Sequence, residues 1–208
     1  MELETIHLEH VPETHIVYAA LFQDVKNAAF LHSQLLARNT EFEYAFIDAA
    51  SVVSRFHVLS AVFKALTVLL DGTLKTPNVH SEVVCSLSPS NNIAEAYRRF
   101  GIGPTTRDVI VIKISHPAAP VTVESVRTHL AAHIECASTS PLSDHAIAAC
   151  TDLARVRKYY KLGGAPALER FSKRAEGEHE EGLVQGTTAQ TRRELTILAV
   201  SAMALRGL

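Results

Sequence analysis

The chain has only three cysteines, Cys85, Cys136 and Cys150, far apart and without CxxC spacing. That argues against a disulfide framework and for reduced thiols in an intracellular compartment. A charge excess of one sign is also lacking. Twenty Lys and Arg stand against 22 Asp and Glu, a formal net charge of −2, which excludes a bulk-basic nucleic-acid binder and leaves room for a local basic patch. The opening MELETIHLEH is acidic and has no apolar h-region, so no secretory signal is expected. The apolar run Leu195–Leu205 is far short of the ~20 residues a membrane span needs, so no membrane partner is expected.

Catalytic motifs are absent as well. GxSxG, GxGxxG, GxxxxGK[ST] and DxDxDG do not occur. Gly101-Ile102-Gly103-Pro104 follows a helix-like run instead of opening one, so it reads as a helix stop in which Gly101 supplies a left-handed residue. The eleven histidines are scattered. None forms HExxH, and with a helix drawn over Val123–Ala132 no HxxxH pair falls inside one helix. They read as surface or satisfied core groups. No catalytic residue, metal site or cofactor is expected.

What is present is a large apolar content. At 208 residues and 47% hydrophobic, the chain can bury a core as one domain. Leu3–Leu8, His15–Phe22, Phe42–Asp48, Val79–Leu87 and Val109–Ser115 read as strands, with a short candidate at His133–Ala137. Asp24 reads as the cap of a helix over Val25–Arg38, and Ser51 as the cap of a long, nearly all-apolar helix that Asp71-Gly72 stops near Leu70. Thr122 caps Val123–Ala132, and Asp144–Cys150 and Thr151–Leu162 read as helices. A short helical piece is expected at about Ala167–Ala175, then an acidic flexible loop at about 176–190, then a last helix from about Thr191 to Leu205. The irregular order predicts a mixed α/β (α+β) fold: one domain over 1–208, with a central mixed, largely antiparallel sheet covered by helices.

The densest stretch is LSPSNNIAEAYRRFGI, Leu87–Ile102. Either Ser88 caps it with Pro89 at the first helical position, or Asn92 caps it with Glu95 three residues on. Ile93, Ala96, Tyr97 and Phe100 are expected to face the core, and Glu95 and Arg99 to form an i,i+4 pair. Free N–H groups beside Asn91 and Asn92 suit a phosphate or a nucleotide edge. Tyr159 and Tyr160 lie within a basic RKYYK run, a mix that suits single-stranded RNA, although the spacing alone favours a solvated helix face with one buried ring. The last helix is apolar on nearly all sides after Glu194, so one face is free for a partner if the other meets the core.

This stretch resembles the LSPxNNIxEAxxxFGI signature of the PRPK-binding protein (TPRKB) family, in a fungal form. Other stretches agree in order. Phe22–Ala28 fits FxDVKNA, Lys64-Ala65 falls in the matching long helix, Ser81-Glu82-Val83 fits an SxE start, and Val156–Leu162 fits VxKxYKL. The resemblance implies the small, non-enzymatic, kinase-binding subunit of the KEOPS/EKC complex. It implies direct binding of the complex's atypical kinase/ATPase, an indirect link through it to the threonylcarbamoyltransferase subunit, and recruitment of tRNA by its CCA end. The modification is threonylcarbamoylation of the adenosine beside the anticodon. Telomere maintenance, transcription, and residence in nucleus and cytoplasm, including telomeric chromatin, are further implications. Lys64, Lys75, Asn91, Asn92, Arg98 and Arg99 are the expected RNA contacts; Tyr159, Leu195, Leu198 and Met203 are the expected kinase contacts. A purely protein-binding scaffold without RNA contact and a small enzyme with an unrecognised site are the alternatives.

Overall fold

A computed structural model describes residues 1–162 and 181–206, the side chains of 181–188 excepted. Its sheet is built from β1 (Glu4–Ile6), β2 (Ile16–Gln23), β3 (Ala45–Asp48), β4 (Val109–Ser115) and β5 (Ser138–Ser140). The order is β1-β2-β4-β3, with β5 also on β2, and every pairing among the described strands is antiparallel. The central register runs from Ile16 opposite Ser115 to Phe22 opposite Val109.

Both faces of β2 and β4 are covered, which is why they read as continuous apolar runs instead of alternating ones. Ala19, Leu21, Ile110, Ile112 and Ile114 pack with α2 (Arg55–Leu70), α3 (Val79–Ser86) and α8 (Glu181–Ala204). Tyr18, Ala20, Phe22 and Val111 pack with α1 (Ala28–Leu36) and α5 (Val123–His133). Three shorter helices complete the described set: α4 (Ile93–Phe100), α6 (Asp144–Cys150) and α7 (Leu153–Tyr159). The result is an α+β fold, a sheet between helical layers.

Several sequence expectations are corrected. Val79–Leu87 is not a strand: it is helix α3, capped by Asn78, whose side chain accepts from the Ser81 N–H at 2.8 Å. All its residues except Ser81 are buried, so no polar stripe marks the helical period. Asp24 does not cap a helix. It sits at φ +54° with its N–H on Asp108, and α1 starts three residues after Val25 would have begun it, behind Asn27. Ser54, not Ser51, caps α2, accepting from His57 N–H at 3.2 Å. Gly72, at φ +67°, follows its end in a conformation that glycine adopts at low cost. The strand expected at Phe42 starts only at Ala45, because Thr40–Phe42 forms a 3-10 turn. The strand sought at His133–Ala137 lies at Ser138–Ser140 instead. The loop expected at about 176–190 ends earlier than drawn, since α8 is helical from Glu181. The piece expected at Ala167–Ala175 and residues 176–180 lie outside the described residues.

One buried polar chain ties α2, α3 and α7 together. Val53 N–H donates to His57 Nδ1 at 3.3 Å, His57 Nε2 donates to the Tyr160 hydroxyl at 2.7 Å, and that hydroxyl donates to the Leu87 carbonyl. These roles require the neutral imidazole, and burial pushes the His57 pKa down to about 4. His80 serves the sheet edge. Its Nε2 accepts the Ile114 N–H at 3.0 Å, at a position beyond the last β3 pairing, Ala45 opposite Ile112.

Candidate interaction surfaces

The Leu87–Ile102 stretch is capped by Asn92, whose Oδ1 accepts from Glu95 N–H at 3.0 Å. Ser88 Oγ instead accepts from Ser90 N–H at 3.1 Å. Phe100 and Ala96 are buried as expected, whereas Ile93 is 41% exposed because it starts the helix on its outer side. Gly101 is not left-handed: its φ is −73°. Its role is close approach, since a Cβ there would lie 2.7 Å from the Tyr97 carbonyl oxygen, and it bridges Ile47 of β3.

The expected RNA residues fall in three places. Lys64 Nζ donates to the Met203 carbonyl at 2.7 Å, in the last turn of α8, where the Arg206 N–H also reaches that oxygen at 3.4 Å. Its pKa is lowered by burial first, then by the nearby positive charges of Arg206 and Lys75. Arg206 Nε donates to Asn91 Oδ1 at 2.8 Å and its other arm reaches the Cys85 carbonyl. Lys64, Lys75, Arg206 and Asn91 thus form a basic cluster where α8 ends, close to the Asn92 cap. Arg206 was not among the expected contacts: nothing in sequence places a residue just past a helix end beside Asn91.

Arg99 belongs elsewhere. It pairs with Glu95, donates to the Tyr159 carbonyl at 3.0 Å and lies 5.4 Å from the Tyr159 ring centroid. It holds α4 to α7, as does Phe100, which meets Tyr159 edge-on and Tyr160 at a tilt. Arg98 is 74% exposed and lines a separate groove.

The expected kinase contacts are largely inward. Leu195 and Met203 are buried in this chain's own core, while Leu198 and Tyr159 are half-buried against it. The reason is geometric: Leu195, Ala199 and Met203 recur every four residues and form the inner stripe of α8. Among the described side chains, the large apolar residues that face outward are Ile197 of α8 and Leu205 just past its end. Beside them α2 presents Phe56, Phe63 and Leu70, spaced by seven and all exposed. The two helices touch through Thr196 and Ser54, at 3.0 Å, and through Lys64 and Met203. Five large apolar side chains on two touching helices mark an interaction surface.

Histidines do not make a site. Because α5 runs to His133, one residue past the expected end, His129 and His133 do form an HxxxH pair, with ring centroids 4.4 Å apart. His129 Nδ1 is taken by the Tyr44 hydroxyl at 3.0 Å, and His133 Nδ1 by the His129 carbonyl at 2.8 Å. No group of three or more His, Cys, Asp or Glu among the described residues is placed to hold a metal ion. No described helix is long and apolar enough to cross a membrane.

Residues 22–207 match the family described as kinase binding protein CGI-121. The chain belongs to the CGI-121 family. It is 51% identical to the EKC/KEOPS complex subunit CGI121 of Gibberella zeae, with all of both chains covered. It is 49% identical to the Neurospora crassa subunit, again over all of both. The Schizosaccharomyces pombe subunit is 34% identical over 73% of this chain and 84% of its own. A CGI-121 protein is by description a kinase binder, which agrees with an apolar two-helix surface.

Proposed function

We propose that this chain is a non-catalytic subunit of an EKC/KEOPS complex that holds the complex's atypical kinase/ATPase on the outer face of α2 and α8. The observation that carries this is the exposed set Phe56, Phe63, Leu70, Ile197 and Leu205 in a family described as kinase-binding. Co-elution with the kinase from its own complex tests it. Phe63→Glu combined with Ile197→Glu is expected to weaken binding at least 100-fold, because two charges would be buried without partners, while circular dichroism stays native since both sites are exposed. Retained co-elution would sink the assignment.

We further propose that the Lys64–Lys75–Arg206 cluster, with Asn91 and Asn92, contacts the single-stranded CCA end of tRNA, so that the subunit recruits tRNA for threonylcarbamoylation beside the anticodon. The threonylcarbamoyltransferase subunit is then reached through the kinase. Residence in nucleus and cytoplasm, and a part in telomere maintenance and transcription, belong to the same proposal. Three cations at one helix end beside an amide-lined cap support the RNA reading. Lys75→Glu with Arg206→Glu is expected to weaken tRNA binding about tenfold or more in a low-salt mobility-shift assay, and to flatten its salt dependence. Unchanged binding would favour a scaffold that touches protein only.

A further inference from the structure

A groove of about 910 Å³ opens on the side of the sheet where β3 is the outer strand. Its walls include Leu35 and Leu36 of α1, Phe46 of β3 and Tyr97 of α4, and two arginines, Arg38 and Arg98, line it as well. None of the residues of the Lys64–Lys75–Arg206 cluster lines it. An outer strand normally invites another strand to pair with it. Here that route is obstructed. Gly101 bridges Ile47, and Lys113 Nζ, opposite the residue before β3, donates to the Glu43 carbonyl at 2.6 Å. An occupant is therefore read by side chains.

The charges are unbalanced toward the cationic side. Glu43 is the single acidic residue of the lining. The Arg38 guanidinium makes no hydrogen bond or ion pair among the described residues. Arg98 has only a 4.0 Å contact with Glu95 Oε1, and Arg99 holds that same oxygen more closely. Arg38 also occupies a left-handed position, φ +54°, just after α1. Its N–H reaches the Leu35 carbonyl and that of Asn39 reaches Gln34, the helix-ending turn that glycine fills without steric cost. An arginine in that place is strained relative to glycine, and strained positions concentrate where a side chain has work to do.

We propose that this groove docks a short acidic peptide segment of a partner protein, with its apolar side chains on Leu35, Leu36 and Tyr97 and its carboxylates on Arg38 and Arg98. Leu36, 72% exposed, leaves the apolar wall open for it. The arginines complement carboxylates with charge-assisted, bidentate geometry. Two cations beside a mainly apolar wall are too few for a nucleic-acid backbone, which takes its affinity from many phosphate contacts.

The test pans a library of random short peptides against the full chain and measures the enriched peptides by fluorescence anisotropy. Enriched peptides are expected to interleave Asp or Glu with large apolar residues. Arg38→Gly and Arg98→Ala are each expected to weaken them about tenfold, the loss of one charge-assisted contact. Arg38→Gly is expected not to lower the melting temperature, because glycine suits that backbone, so lost binding would not reflect lost folding. Lys75→Glu, outside the groove, is expected to leave peptide affinity unchanged. The proposal is overturned if no peptide is enriched, if the enriched peptides lack acidic residues, or if both arginine variants bind as tightly as the parent. It is also overturned if a single-stranded oligonucleotide displaces the peptides and itself depends on Arg38.

Discussion

Acidification from pH 6.5 toward pH 4 is expected to strip this protein of several kcal/mol of stability, with His57 as a principal cause. Its ring is fully buried and both nitrogens are committed, one accepting from Val53 and one donating to Tyr160. Burial pushes its pKa from 6.5 to about 4. His80, buried with its Nε2 on the Ile114 N–H, is pushed to about 3, chiefly by burial and then by the charges of Lys113 and His116. For such a base the unfolded chain takes up the proton first. The stability is therefore fully present above pH 6.5 and is lost as pH falls toward the folded values. Each ring contributes on the order of 3 kcal/mol across that window. Asp48 opposes the trend, because its carboxyl is raised by burial and favours the folded state at lower pH. Urea unfolding at neutral pH and near pH 4.5 measures the difference. His57→Gln should cost stability at neutral pH and flatten the acid slope. An unchanged slope would mean that the His57–Tyr160 chain does not govern acid sensitivity.

Phe100→Ala is expected to destabilise the fold by about 3–5 kcal/mol, the range for removing a fully buried aromatic ring. Phe100 has no exposed surface and meets Tyr159 and Tyr160 at centroid distances of 5.7 Å. Its loss would open a cavity where α4, α7 and the sheet meet, and would loosen the Tyr160 hydroxyl from Leu87. Ile93→Ala, seven residues earlier in the same helix, is expected to change stability by less than about 0.5 kcal/mol, as surface substitutions do. Chemical denaturation of both variants separates the two sites. Equal losses would contradict the difference in burial.

Much of this contrast was legible in sequence and part was not. The apolar strands β2 and β4, the cap Thr122, the narrowing of the α4 cap to Ser88 or Asn92, and the Glu95–Arg99 pair follow from local spacing, because hydrogen bonds over three or four residues depend on near neighbours alone. Helix α3 was illegible for the opposite reason. Val79, Val83, Val84 and Cys85 are surrounded on all sides, and a helix buried all round carries no period that distinguishes it from a buried strand. Asp24 misled because an acidic residue before an apolar run suits a cap, while its N–H is taken by Asp108, a residue 84 positions away.

The surfaces show the same division. Sequence alone determined that the last helix is too apolar to stand in water, that a helix opens behind Ser88 or Asn92, and that the chain carries the marks of a kinase-binding family. Only the tertiary structure decided which way those groups face. Leu195 and Met203 turn inward because α8 lies against α2, on the core that α2 shares with the sheet, which leaves Phe56, Phe63 and Ile197 outside. Arg206 joins Lys64 and Asn91, and Arg98 parts from Arg99, because of where α8 ends and how α7 packs on α4. Local propensity acts over a turn of chain, whereas burial and charge clustering depend on segments more than 100 residues apart that meet only in the folded state, as Arg206 and Asn91 do at a separation of 115.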